Sequence, residues 1–373
     1  MKNKKSILFL WSYWRGNLWD DMFLDLILKF YPADKFNIYV NASEDAEIPK
    51  NIKNKINIID TNFLKDFNQK IKILYKIDSV VYFWGDLFME LKWARFFRIV
   101  FYKMLIVNLF SKVLWKKIYY IWVWVWNISW YSLLLAKISW KLSNYIIFRD
   151  KESAKKLQLN KNKFSVFPDL AVSYFDKEKF DIKDSKNIKT KIWISLLYFV
   201  PNKENFQDLI ITISWIVNKH TELDFVFLPL LISKNEKFDD IWVWDKLISQ
   251  CKYENIEILK YSWINDYIKK IQGLDIIISA RLHWNIFSVL SWISTIALSY
   301  SPKVTNFFIE NNLKEFCLNI NDLSGLDYIF SDILLDNKKV KFKMASKNLL
   351  KYNTSYKEKI DELFINNKKK YDV

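Results

Sequence analysis

Arg281 and His283 stand two residues apart just after the apolar run Ile276-Ile277-Ile278, and Tyr300, Ser301 and Lys303 follow the next such run, Thr295 to Ser299. A guanidinium and an ammonium suit a phosphate or a carboxylate, and an imidazole beside them can carry a proton near neutral pH. The chain has two histidines, and His283 is the one placed between an arginine and a strand-end turn. A solvated turn with an incidental histidine is the competing reading. Arg149-Asp150 with Ser153 could hold a phosphate or simply fix a helix start. Asn17 and Asp20 could hydrogen-bond hydroxyls, and Asp20 fits a helix cap equally well. Asp169 is a further polar candidate. Asp239 and Asp240 are expected to be solvated, and His220, beside Lys219, to lie on the surface. Cys251 and Cys317 lack metal-ligand spacing; they are expected to be reduced thiols, and no metal site is expected.

Such side chains need strand ends to hold them. Short apolar runs at 6–10, 36–40, 56–59, 79–83, 118–125 and 145–148 alternate with amphipathic stretches, and a similar alternation runs from Ile192 to Ser299. Strands alternating with helices on both sides of a charged, non-periodic segment imply an α/β chain of two doubly wound, Rossmann-like domains. The expected boundaries are 1–174 for the first domain, 175–190 for a linker, 191–338 for the second domain and 339–373 for a basic helical tail with a frayed end. Ligands of such sheets sit outside the carboxyl ends of the strands, where the turns at 281 and 300 fall.

Composition contains one anomaly. The 373 residues include 4 Gly and 18 Trp, where ordinary usage would give about 26 glycines. An α/β chain cannot easily turn its corners with so few, because left-handed backbone and close phosphate approaches call for glycine. The expectation is that most of these tryptophans are glycines in the living protein. Some bacteria read UGA as glycine, and a translation that reads UGA as tryptophan prints an indole at each one. Richness in Lys, Asn and Ile fits the AT-rich genomes where such reassignment occurs; the alternative is a truly tryptophan-rich protein.

With that substitution in view, several motifs line up. Trp11-Ser12-Tyr13-Trp14-Arg15-Gly16-Asn17-Leu18-Trp19-Asp20-Asp21 resembles a G-x-x-G-x-x-N-x-G-D-D loop. Phe83-Trp84-Gly85-Asp86-Leu87-Phe88 resembles G-G-x-x-F, and Trp122, Trp124 and Trp126 fall at the glycines of G-x-G-x-G-P, with Asn127 departing from the proline. Arg149-Asp150-Lys151-Glu152-Ser153 matches R-D-x-x-S. Arg281-Leu282-His283-Trp284 followed by Tyr300 to Lys303 resembles R-L-H-G with Y-x-x-K. In order, over roughly residues 6–308, these resemble the polysaccharide pyruvyl transferase family. Trp193-Ile194-Ser195-Leu196 resembles its G-I-S-L-R, although Leu197 replaces the usual arginine and one anion contact is thereby in doubt.

The resemblance implies a glycosyltransferase-B-like fold, with the acceptor on the N-terminal side and the donor on the C-terminal side that carries R-L-H. It implies transfer of a pyruvyl group from phosphoenolpyruvate to a sugar, free or lipid-linked, of a cell-surface polysaccharide or its precursor, with no cofactor beyond that donor. His283 and Arg281 are then the catalytic candidates. Asn17, Asp20, Arg149, Asp169, Tyr300 and Lys303 are candidate substrate contacts. Trp11, Trp14, Trp19, Trp84, Gly85, Trp122, Trp124, Trp126 and Trp284 mark backbone turn positions that are glycine in the family.

Two other readings stand beside it: a nucleotide-sugar glycosyltransferase of the same architecture, and a non-catalytic basic protein bound to membrane or nucleic acid. Lys+Arg 57 against Asp+Glu 41 gives +16, which favours anionic partners, though no specific nucleic acid. Residues 118–136 carry no charge over a length that imitates a membrane span; with glycines for tryptophans they become strand, turn and helix start. The protein is expected to be cytoplasmic, with peripheral contact at the inner membrane face through the basic amphipathic stretch 93–117 or, alternatively, with that stretch serving only as a sheet-covering helix.

Overall fold

A computed structural model describes residues 4–13, 17–42, 48–60, 67–83, 88–89, 95–126, 128–157, 161–175, 190–198, 203–232, 239–252, 256–260, 264–271, 273–335 and 338–365. Trp14, Trp84, Gly85 and most of the linker at 175–190 lie outside them.

Nine strands lead the chain: β1 (Lys5–Tyr13), β2 (Phe36–Ala42), β3 (Asn57–Asp60), β4 (Ser79–Tyr82), β5 (Phe88–Met89), β6 (Lys117–Val123), β7 (Val125–Trp126), β8 (Tyr145–Phe148) and β9 (Phe164–Val166). Between and after them run helices α1 (Leu18–Phe30), α2 (Lys50–Lys53), α3 (Phe67–Lys76), α4 (Arg95–Val113), α5 (Trp130–Leu142), α6 (Lys151–Leu157) and α7 (Ala171–Tyr174). Seven of the strands form a parallel sheet in the order β3-β2-β1-β4-β6-β8-β9, and β5 pairs with β7 separately. The strands read as continuous apolar runs because helices cover both faces. Every residue of β4 and β8 is buried.

The second half repeats the plan. Strands β10 (Lys191–Ser195), β11 (Asp224–Phe227), β12 (Ile256–Ile258), β13 (Ile276–Ser279), β14 (Ser294–Ser299) and β15 (Cys317–Asn319) form a parallel sheet in the order β12-β11-β10-β13-β14-β15. Helices α8 (Lys203–Lys219), α9 (Asp240–Ile248), α10 (Ile264–Ile271), α11 (Leu282–Leu290), α12 (Pro302–Glu310) and α13 (Leu326–Leu335) connect them. The order reverses between β10 and β13, a topological switch point of the kind that holds ligands in doubly wound sheets.

Contacts divide the chain into one unit of residues 1–15, 23–170 and 356–373, and a second of 16–22 and 171–355. Of residues 339–373, read as a tail, α14 (Lys339–Leu350) and α15 (Tyr352–Phe364) take up most, and the end from 366 lies outside the described residues. Within the second unit, Phe342 and Leu349 of α14 are buried and Ser346 donates to Leu290 O at 3.0 Å. Within the first, Tyr356, Ile360 and Phe364 of α15 are buried. The uncharged stretch 118–136 is β6, β7 and the start of α5, and among the described residues no helix is long and apolar enough to cross a membrane.

Candidate functional site

The second unit brings Arg281 and His283 to the carboxyl edge of its sheet at the switch point. β13 pairs with β10 through Ser195 and Ser279, and Ala280 N–H donates to Ser195 O at 2.9 Å. Ser279 then fixes the turn: its hydroxyl accepts from Arg281 N–H at 2.9 Å and donates to Arg281 O at 3.2 Å. Arg281 is the N-cap of α11, with extended backbone and no side-chain capping bond, which leaves its guanidinium for other work.

That guanidinium donates from Nη2 to Asp240 Oδ1. Asp240 was expected in solvent; instead it is 1% exposed at the start of α9. Its Oδ2 accepts from Leu230 N–H at 2.7 Å and Leu231 N–H at 3.1 Å, so the loop after β11 folds back on it. Asp239 caps α9, accepting from Ile241 N–H at 3.1 Å. Burial pushes the Asp240 carboxyl above its ordinary value, opposed by the Arg281 charge and the two N–H donors. On the arginine, Nε is buried with no hydrogen-bond partner among the described residues. A guanidinium anchored on one carboxylate still has N–H donors enough to hold a second anion.

His283 is half-buried in the first turn of α11, and the indole of Trp19 stacks on its ring with centroids 3.2 Å apart and planes within 9°. Both belong to the second unit because the start of α1 is tied there: Leu18 N–H donates to Leu230 O at 3.1 Å, and Asn17 bridges Leu231. Asn17 Oδ1 accepts from Trp19 N–H at 3.1 Å, so this candidate substrate contact also shapes the helix start. Asp20 is buried within α1.

Tyr300 and Lys303 follow β14, the strand beside β13. Both are half-buried, and the Lys303 ammonium lies 5.5 Å from the Tyr300 ring centroid. Ser301, the N-cap of α12, is buried and its hydroxyl has no hydrogen-bond partner among the described residues. Leu197 is buried, in keeping with the missing arginine at that position.

The first unit holds Arg149 and Asp169. Nη1 of Arg149 lies 3.4 Å from Asp169 Oδ2 with both side chains 7% exposed, and its guanidinium carbon sits 4.9 Å from the Trp124 centroid. Asp150 accepts from Ser153 N–H at 2.6 Å and from its hydroxyl at 2.8 Å, and Ser153 Oγ accepts from Val125 N–H at 2.9 Å. R-D-x-x-S therefore caps α6 and clips it to β7.

The positions marked as family glycines are mixed in setting. Trp11 lies in β1, Trp19 in α1, Trp122 in β6, Trp126 in β7 and Trp284 in α11, while Trp124 falls between β6 and β7. Trp284 is fully buried against Tyr267 and Phe287, and its indole N–H has no partner. Outside the site, His220 is partly exposed: its side chain is 15% exposed, bonded to Glu222 at 3.1 Å and edge-on to Phe330. Burial pushes the thiols of Cys251 and Cys317 up to about 11. Among the described residues, no cluster of His, Cys, Asp and Glu could hold a metal.

A family model described as polysaccharide pyruvyl transferase matches residues 20–302. No curated protein matches the chain. Among solved structures, UDP-GlcNAc 2-epimerase from Neisseria meningitidis bound to UDP-GlcNAc is similar at TM-score 0.66 and 12% identity, covering 97% of this chain and 100% of its own. A glycosyltransferase from Rickettsia africae gives TM-score 0.60 and 16% identity over 96% and 99%. Anabaena HepE in complex with UDP-glucose gives 0.62 and 9% over 98% and 99%. At such identities the likeness establishes the fold, a glycosyltransferase-B-like pair of Rossmann-type sheets.

Proposed function

The chain belongs to the polysaccharide pyruvyl transferase family, and from that premise we propose that it moves a pyruvyl group from phosphoenolpyruvate to a sugar of a surface polysaccharide or its precursor. The donor's methylene carbon takes up a proton, and its second carbon accepts the oxygens of two sugar hydroxyls as the phosphate leaves. One hydroxyl proton balances the new methyl group and the other leaves with phosphate or solvent; the product is a cyclic ketal. His283 is the acid/base and Arg281 the anion clamp, with Lys303 and Arg149 as further cations. Tyr300, Asn17, Asp20 and Asp169 are proposed to contact substrate. The reading calls for no cofactor, a cytoplasmic setting and an acceptor that is free or lipid-linked.

The observation that supports it most is Arg281 itself, held from one side by Asp240 and two residues from the imidazole at the switch-point edge. The test is phosphate release from phosphoenolpyruvate with acceptor. His283→Ala should lose it while keeping the wild-type Tm, and near-normal turnover overturns the assignment. A second reading, a nucleotide-sugar glycosyltransferase, draws on relatives of the fold that were solved with UDP-GlcNAc or UDP-glucose. Thermal stabilisation by a UDP-sugar and not by phosphoenolpyruvate would favour it.

A further inference from the structure

We propose that the outer face of α4 and α5 docks the protein on an anionic lipid surface. The two helices lie side by side and run in the same direction. Tyr102 sits beside Tyr131, Asn108 donates to Ser139 O at 3.5 Å, and Lys112 donates to Asn144 at 3.3 Å. Their inner faces complete the core under β4, β6 and β8 through Phe101, Met104, Val107, Leu135 and Trp140. Their outer faces are apolar as well. Ile106, Leu109, Phe110 and Val113 of α4, with Leu134 and Ile138 of α5, are each between 37% and 74% exposed. Scattered exposed apolar residues need no explanation, but a contiguous stripe on two neighbouring helices marks an interaction surface.

Charge selects the occupant. α4 carries Arg95, Arg98, Lys103 and Lys112, α5 carries Lys137 and Lys141, and neither helix contains an Asp or Glu. At the helical period Lys103 falls on a flank of the α4 stripe, where a long cationic side chain reaches headgroups while the stripe meets acyl chains. Among the described residues neither helix is long and apolar enough to cross a membrane, so the proposed mode is interfacial.

The full-length chain should sediment with phosphatidylcholine vesicles containing roughly a third phosphatidylglycerol, bind neutral vesicles weakly, and weaken as salt is raised. Leu109→Gln with Ile138→Gln should lower vesicle affinity at least tenfold at unchanged Tm, and Lys137→Gln with Lys141→Gln should remove the preference for anionic lipid. Unchanged binding by both variants overturns the proposal. So does concentration-dependent self-association lost in the same variants without vesicle binding, which would assign the face to a second copy of the chain.

Backbone geometry independently carries a second inference: Trp115, Trp122 and Trp292 are glycines in the living protein. Among the described residues, the non-glycine positions with left-handed φ are these three, at 56°, 59° and 63°, and Asn312 at 57°. Asparagine tolerates that region; an indole-bearing residue does not. After α4, Trp115 N–H donates to Lys112 O and Lys116 N–H to Ser111 O. After α11, Trp292 N–H donates to Val289 O and Ile293 N–H to Ser288 O. Asn312 and Leu313 close α12 the same way on Ile309 and Phe308. This bonding pattern is the helix stop whose left-handed position is ordinarily glycine, sometimes asparagine. Trp122 sits where the β6–β8 register slips between Ile121 and Val123, the bulge position that also takes glycine. The buried indole N–H groups of Trp122 and Trp292 have no hydrogen-bond partner among the described residues. The lipid face uses neither Trp115 nor Trp130. Peptide mass spectrometry on protein from its own cells should show glycine at 115, 122 and 292; tryptophan at any of them overturns the inference.

Discussion

Arg149 and Arg281 each follow the carboxyl end of a buried parallel strand, each opens a helix, and each meets an aspartate far along the chain, yet their surroundings differ. Arg149 lies against Trp124 and Asp169 with 7% of its side chain exposed, and the next residue, Asp150, caps α6 through Ser153. Arg281 is 16% exposed; its aspartate is pinned by two backbone N–H groups, and its own Nε has no hydrogen-bond partner among the described residues. An aspartate immobilised by the backbone fixes the guanidinium without using all of its five donors. The pair at 149 is backed by an indole, and the pair at 281 is backed by two backbone N–H groups on its aspartate. On the proposed reading, Arg281 is the main contact with the donor and Arg149 the weaker one.

Removing each guanidinium separates the two. Arg281→Ala leaves the 1% exposed Asp240 without its counter-charge, which should cost about 3–5 kcal/mol in urea denaturation. Adding Asp240→Asn should recover most of that stability and none of the phosphoenolpyruvate binding. A single variant as stable as the parent would mean that Asp240 is not held ionised by Arg281, and the contrast would fail. Lysine substitutions press the point more gently. Arg281→Lys keeps the charge but loses the planar fork, and donor KM should rise about tenfold, equivalent to about 1.4 kcal/mol, with little change in Tm. Arg149→Lys should lower Tm and raise donor KM less than Arg281→Lys does; the reverse outcome would exchange the two roles. Ser153→Ala, which strips a partner from both Asp150 and Val125 N–H, should cost about 1–2 kcal/mol without touching donor affinity.

Much of this was legible in the chain because it is local. Alternating apolar and amphipathic runs give the two parallel sheets, and the helix-start reading of R-D-x-x-S needs only an acid and a hydroxyl three residues apart. The turn at 281 is likewise visible as an Arg and His after a run of isoleucines. What escaped was long-range. Asp240 reads as a solvated acid because its partner is 41 residues away and the fold-back of Leu230 and Leu231 leaves no sequence mark. The stack of Trp19 on His283 depends on the first turn of α1 grouping with the second unit, which no periodicity encodes. His220 beside Lys219 carries no local sign of its edge-on contact with Phe330. In α15, the buried Tyr356, Ile360 and Phe364 are interleaved with Lys357, Glu358, Lys359, Asp361 and Glu362, so an amphipathic docking helix resembles a charged tail.

The smallest effect expected is also the one that tests Asp240 without disabling the clamp. Burial raises its carboxyl in the folded chain more than Arg281 and the two N–H groups lower it. Between the ordinary carboxylate value and the raised one, the folded state therefore binds a proton that the unfolded state has released. Stability rises with pH only where the unfolded state binds more protons, so here it must fall. Asp240 contributes fully below its unfolded value, and that contribution is lost as pH climbs through the folded one. Asp240→Asn does not titrate. Across the weakly acidic range, the stability of the parent minus that of the variant, from paired urea titrations, should decline as pH increases. A difference that grows with pH would mean that the ion pair with Arg281 outweighs desolvation. The carboxylate would then be the form the fold prefers, and the two arginine pairs would differ in exposure alone.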